Sequence, residues 1–247
     1  MKFAIITDIH GNHPALRAVL NDIDQVGSIH HIYCLGDMIA IGPDTNEVLE
    51  ELFTRKDVSM ITGNHDESVL AILNGEPHPK SHAHVKEHHQ WIAERMNPAF
   101  VEKMNQLPRT MKKNVRNYSI RFIHYSIDPS KLHVHISKDP FHRIVDPNLN
   151  NMEVLFADYP ADLICFGHHH PYHYFQGSQT TYLNPSSLGC QDKPIAPYAI
   201  VTLENGRIDV QQKMVSYDNT TFLQSYQKLQ VPGRDIIIGL FHGSQKG

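Results

Sequence analysis

A chain of 247 residues that is 40% hydrophobic and 19% charged is long enough for one sizeable globular core and too apolar to be disordered. Its formal net charge of −4, with histidine neutral, argues against gripping nucleic acid through bulk charge. It leaves room for a small phosphorylated substrate, because a metal site can supply positive charge locally.

The first elements alternate. Residues 2–7 form a continuous apolar run, as in a strand buried on both faces. A helix follows, opened by Pro14 and carrying Leu16, Val19, Leu20 and Ile23 on one face. A second strand fits 31–35, a helix capped by Asp44-Thr45 runs to Phe53, and a third strand fits 58–62. Asp66 is placed to cap a short helix ending at Leu73.

Residues 74–116 are rich in His and Pro, with helical stretches, notably 81–96, and no strong strand. They predict a helical cap inserted in a single domain spanning 1–247. Strands are then expected at 118–125 and 163–166. A hairpin follows, with 198–203 and 207–215 joined through Asn205-Gly206. A helix over 219–230 and a short strand over 236–241 complete the prediction.

Three cysteines, Cys34, Cys165 and Cys190, are odd in number and at no metal-like spacing. They read as free buried thiols of a reducing compartment. The N-terminal apolar run, broken by Asp8, is too short for a signal peptide or a membrane span, so the expectation is a cytoplasmic protein with no membrane partner.

Five times an apolar run leads directly to a polar residue able to bind metal: Asp8 and His10, then Asp37, Asn64, His124, and the triplet His168-His169-His170. Strands of an α/β sheet deliver ligands at their carboxyl ends, so these motifs converge if the strands pair. Gly36, Gly63 and Gly167 each precede a candidate ligand, where a chain leaving a strand must turn sharply. Any one motif alone has a packing explanation; five together do not.

Imidazoles and carboxylates suit borderline divalent metals, and the lack of cysteine among them disfavours a closed structural zinc knot. The donors exceed what one ion needs and suit two ions about 3.5–4 Å apart that share a carboxylate. Two such ions with Asp8 and Asp37 leave a site charge of +2, matched to a phosphate dianion. Hydroxide on the metals would be a ready nucleophile, since metal binding lowers the pKa of water to about 7.

These residues resemble the calcineurin-like metallophosphoesterase superfamily, whose pattern is Asp-x-His, Gly-Asp, Gly-Asn-His-Asp/Glu, a lone His and Gly-His-x-His. All five occur in order between residues 8 and 170, and Leu183-Asn-Pro-Ser-Ser-Leu-Gly189 resembles the Asn-Pro-Gly-Ser stretch of its small bacterial branch. The resemblance implies an α/β fold, a four-layer α-β-β-α sandwich of two facing sheets. It implies that Asp8, His10 and His170 hold one metal, that Asp37 bridges, and that Asn64, His124 and His168 hold the second. It makes Asp37 and His65 catalytic, with Asn64 and His65 on the phosphate and His65 as general acid. Asp66 either orients His65 or caps the next helix. The cofactor is two divalent ions, manganese or iron first, with zinc, nickel and cobalt compatible. The substrate is a phosphate mono- or diester, a nucleotide or dinucleoside polyphosphate among them. The middle residue of 168–170 departs from the usual Thr, which leaves His169 open as a ligand.

Other features have plainer readings. Asn12 is a weak candidate for substrate contact. His84 and His88 have a zinc-compatible spacing, but with no third ligand evident the cap histidines read as a solvated face. Trp91, Ile92 and Met96 read as a packing seam, and Arg109, Lys112, Lys113 and Arg116 as solvated surface. Two rival functions remain: a nuclease, and a non-catalytic scaffold such as the branch that keeps the fold but lacks the catalytic histidine. His65 and every candidate ligand are present here. Oligomeric state is not encoded legibly.

Overall fold

The computed structural model describes residues 1–204 and 206–245. In chain order, β1 (Lys2–Ile6), α1 (His13–Val26), β2 (Ile32–Cys34), α2 (Thr45–Thr54), β3 (Val58–Met60) and α3 (Asn64–Leu73) alternate. Then come α4 (Lys86–Ala93), α5 (Pro98–Asn105), β4 (Thr110–Val115), β5 (Tyr118–Ile123), α6 (Leu149–Leu155), β6 (Leu163–Cys165), β7 (His173–Gln176) and β8 (Thr181–Asn184). The chain closes with β9 (Ile195–Glu204), β10 (Arg207–Ser216), α7 (Thr220–Lys228) and α8 (Arg234–Phe241).

Two five-stranded sheets face each other, ordered β10-β9-β1-β2-β3 and β4-β5-β6-β8-β7. Strand alternation explains the layering. On β1, Phe3 and Ile5 join Tyr33, Ala199 and Val201 against Ile120, Phe122, Leu163 and Leu183 of the other sheet. The Tyr33 and Phe122 rings stack across this seam at 3.9 Å. The opposite side chains, Ala4 and Ile6, pack with Leu16, Val19, Val48 and Phe100 of the helices. On the second sheet, Ile164 and Tyr182 turn outward onto Met152 and Phe156. The result is the expected α-β-β-α sandwich. Strands β1, β2 and β3 run parallel, as do β5, β6 and β8, so each set presents its carboxyl ends along one edge.

Several expectations need correction. The segment 74–116 is not purely helical, because 110–115 form edge strand β4, hydrogen-bonded to β5. Its Trp91, Ile92 and Met96 form the expected packing seam, sharing one apolar cluster with Phe100, Met104, Leu16 and Val48. Helix α3 begins at Asn64, two residues before the expected cap. Residues 234–241 are helical, with Ile237 buried and Ile238 and Phe241 packed against the core, while Ile236 and Leu240 face out. That is a 3.6-residue period, which a short apolar run does not reveal by itself. Strands β7 and β8 lie where no strand is expected. In the hairpin, Gly206 has φ +75°, and Asn205 lies outside the described residues. No helix among the described residues is long and apolar enough to cross a membrane.

Candidate metal centre

The sheet geometry brings all seven expected ligands to one place. Asp8 and His10 follow β1, Asp37 follows β2, Asn64 opens α3 after β3, His124 follows β5, and His168 and His170 follow β6. Donor atoms of Asp8, His10 and Asp37 form one close group, and those of Asp37, His124 and His168 form another. Asp37 belongs to both, so it stands where a bridging carboxylate must. His170 Nε2 lies 3.2 Å from His10 Nε2 and 3.6 Å from an Asp8 oxygen. His169 stacks instead near His173, with centroids 4.9 Å apart, and joins neither group.

The chemistry of these contacts fits divalent cations. His124 Nδ1 donates to the Leu35 carbonyl at 2.7 Å, which leaves Nε2 as the atom that faces the other donors. That Nε2 faces Asn64 Oδ1 at 3.0 Å and Asp37 Oδ2 at 3.3 Å. Oxygen and imidazole atoms converging on one buried point suit a cation, in the place that a proton on Nε2 fills in metal-free protein. The His10–His170 approach brings two more imidazole nitrogens to the same cleft. Burial holds the His168 imidazole at a pKa of about 3 and His170 at about 4, so both rings are neutral ligands. Burial would raise Asp8, but the His10 imidazole and the charges of His124 and His170 hold it at about 2.

The backbone is strained to present this set. Asp8, His10, Asp37 and His168 all have φ between +50° and +67°. Such conformations cost non-glycine residues about 1–3 kcal/mol each and gather at functional sites. The three glycines serve different ends than one sharp turn apiece. Gly36 has φ +91°, but Gly63 and Gly167 do not have positive φ. A Cβ at Gly63 would overlap the Asp37 carboxylate, and one at Gly167 would meet Thr7 Oγ1 and the Asp8 carboxylate.

The comparisons with known proteins agree with this geometry. The calcineurin-like phosphoesterase superfamily domain matches residues 1–206. The chain belongs to the calcineurin-like phosphoesterase superfamily. An uncharacterised protein of Methanocaldococcus jannaschii is 31% identical over 173 residues, 68% of this chain and 61% of that protein. A symmetrical bis(5'-nucleosyl)-tetraphosphatase of Buchnera aphidicola is 33% identical over 76 residues, 30% of this chain and 28% of that protein. The chain thus spans less than two thirds of the length of either relative. Its fold is similar to that of a hypothetical protein from Pyrococcus horikoshii, with TM-score 0.79 and 19% identity over 100% of this chain and 99% of that one. A metallophosphoesterase from Sphaerobacter thermophilus has TM-score 0.72 and 20% identity, covering 98% and 100%.

Within this phosphoesterase domain, Asp66 does not touch His65. Its carboxylate accepts from the backbone N–H of Met38, Ile39 and Gly63, tying the loop after β2 to the start of α3. His65 instead contacts His89: Nδ1 lies 2.9 Å from His89 Nε2, and His89 Nδ1 lies 2.8 Å from His78 Nε2. His82 Nδ1 meets Ser68 Oγ at 2.8 Å and its Nε2 meets the Asn64 amide at 3.2 Å. The solvated-face reading therefore fails for this cluster; His88 and His89 are buried, and only His84 stays exposed. Their periodicity resembled a polar face because histidine counts as polar whether or not it is covered.

Two further expectations do not survive. Asn12 is fully buried and spent: its Oδ1 caps α1 at Ala15, and its Nδ2 donates to the Gly189 carbonyl and Tyr217 OH. Arg109 is no solvated charge, for it forks onto Glu67 and donates to the Val134 carbonyl. Sequence reasoning also missed the clamp after β8. Ser187 Oγ donates to the Asp8 carbonyl, Ser186 Oγ to the His170 carbonyl, and the Asn184 amide to the Gly167 and His169 carbonyls. Cys190, buried as expected, has its sulfur beside His10 and His170.

Proposed function

We propose that this chain hydrolyses a small phosphate ester at a two-metal centre held by Asp8, His10, Asp37, Asn64, His124, His168 and His170, with His65 as proton donor. The observation that carries the reading is the sharing of Asp37 between two convergent donor groups. Two divalent cations there, manganese or iron first, would neutralise the phosphoryl oxygens and activate a water for attack. The protein's own part is to position and to donate. The backbone N–H of His65 donates to Asp37 Oδ1 at 2.8 Å, so the positive end of α3 steadies the bridging carboxylate. His65 is a half-buried ring whose Nδ1 is engaged by His89, which turns Nε2 toward the cleft beside the metal ligands.

Burial and the neighbouring imidazoles keep His65 neutral. With His89 Nε2–H donating to His65 Nδ1, all three linked rings stay neutral and His65 carries its one proton on Nε2. As that proton goes to a departing alkoxide, the His89 Nε2 proton can pass to His65 Nδ1 and the His78 proton to His89, with half-buried His78 reprotonated from solvent, so no ring is left as imidazolate. Nucleotide phosphate esters are one class of candidate, in keeping with the relatives named as nucleosyl tetraphosphatases.

The test is hydrolysis of p-nitrophenyl phosphate and bis-p-nitrophenyl phosphate by chelator-stripped protein before and after adding Mn²⁺. Metal-restored turnover is expected. Two bound ions with no turnover on either ester or on nucleotide esters would overturn the hydrolase reading in favour of a scaffold.

A further inference from the structure

The molecule shows few large apolar side chains to solvent, and they are not scattered evenly. Among the described residues, Ile144, Ile236 and Leu240 are 48%, 69% and 73% exposed, and all three border one cleft of about 610 Å³. The floor of that cleft is the metal centre: Asp37, Asn64, His168 and His170 line it, with His65. Its far wall is α8, whose Ile236 and Leu240 are one turn apart on the exposed face, beside Ile237, which also lines the cleft, and away from the core-packed Ile238. Helix α8 lies beyond the residues that match the family domain.

Charge separates this space from its neighbour. Among the described residues no lysine or arginine lines this cleft, and beyond Asp37 on its floor the one carboxylate is Glu87. An adjoining arm, sharing Asn64, His82, Ile144 and His168, is bordered by Lys80 and Arg143. His65 lines the α8 arm and not the cationic one. A proton donor stands on the side from which the leaving group departs.

We infer that the α8 arm is a subsite for an uncharged, apolar leaving group, so the substrate is a phosphate ester of an aromatic or aliphatic alcohol. A polyphosphate chain would meet Ile236 and Leu240 with no lysine or arginine among the described lining residues to receive it, whereas an alkyl or aryl group would cover them. Exposed apolar patches that continue a binding cleft are covered by the ligand. Two side chains are too small an area for a stable contact between copies. This inference rests on the metal-centre reading above.

The test is calorimetric titration of Mn²⁺-loaded protein with ethyl-, butyl-, hexyl- and phenylphosphonate, and with tripolyphosphate. Affinity should rise about two- to fourfold per added methylene. The Ile236→Ser/Leu240→Ser variant should lose that dependence while keeping both metals, ethylphosphonate affinity and its melting temperature. A Val154→Ser/Met214→Ser variant, altering exposed apolar residues elsewhere, should keep it. Hexyl against phenyl then tells a chain from a ring. Affinity independent of chain length, a slope unchanged in the α8 variant, or tripolyphosphate binding more tightly than hexylphosphonate would overturn the subsite. So would a dimer that the α8 variant dissolves. Length-dependent binding without turnover of any ester would instead sink the hydrolase reading and leave the subsite standing; failure to bind Mn²⁺ would sink the metal centre itself.

Discussion

Gly63 has an ordinary extended backbone, φ −104° and ψ 179°, which any residue adopts. What forbids a side chain there is the Asp37 carboxylate, occupying the space a Cβ would take. Gly63→Ala should therefore displace the bridging group and lower metal content nearly as far as Asp37→Ala, without a comparable loss of secondary structure. Metal analysis after dialysis checks this, and a fully loaded Gly63→Ala protein would show that Asp37 has room to move. The histidine pair makes a second residue-scale prediction. His65→Ala should keep both metals and lose about 10²–10⁴ in rate on alkyl esters. His89→Ala should lose part of that, and His89→Gln should recover some of it by offering an amide N–H to His65. The p-nitrophenyl esters, with a good leaving group, should suffer least. Equal losses on good and poor leaving groups would mean that the pair serves structure rather than proton donation.

At the scale of elements, the loop between β8 and β9 acts on two ligand loops at once. Leu188 N–H donates to Thr7 and Gly189 N–H to Asp8, while Ser186 and Ser187 reach His170 and Asp8. These contacts hold Asp8 and His168 in their left-handed conformations, where backbone strain needs outside support. Ser187→Ala removes a fully buried hydroxyl, leaves the Asp8 carbonyl with the Gly189 N–H alone and strips the Cys190 N–H of its acceptor. The expected cost is about 1–3 kcal/mol of stability, with metal binding weakened besides. Urea denaturation with and without Mn²⁺ separates the two; a variant equally stable and equally loaded would show the clamp to be dispensable. Helix α4 has a related duty, for it carries the buried His89 into contact with His65 while Trp91 and Ile92 anchor it in the core.

For the whole molecule, the many covered histidines set a pH window. Burial holds His88 and His242 at about 4 and His89 at about 2, against an ordinary 6.5. The unfolded chain takes those protons first, so stability present above about pH 6.5 is lost as pH falls toward 4. His124 behaves oppositely in metal-free protein. Burial lowers it, but Asp37 more than compensates and lifts it to about 9. Its contribution is full below pH 6.5 and is lost as pH rises through 9. Chelator-treated protein should thus show its highest urea midpoint near pH 6.5–7 and fall on both sides, by at most about 1.4 kcal/mol per pH unit for each such histidine. A midpoint unchanged from pH 7 to 4.5 would contradict the buried neutral rings.

Much of this protein was written locally. The apolar runs that stop at Asp8, Asp37, Asn64, His124 and His168 marked both the strands and the ends at which ligands emerge. A strand buried on two faces rarely carries a polar residue until it leaves the sheet, so the sequence pointed to the candidate metal centre, while the sandwich around it was what the family resemblance implied. The sequence did not reveal that His89 engages His65, that Ser187 props Asp8, that the Asn12 amide is spent on Gly189 and Tyr217, or that α8 turns Ile236 and Leu240 toward the cleft. Each of these joins residues far apart in the chain, 24 between His65 and His89 and 179 between Asp8 and Ser187. Hydrophobic period records whether a side chain is covered, not which partner covers it. Only the packing of the two sheets and their helices decided those pairings, because only there do distant backbones compete for the same space and the same hydrogen bonds.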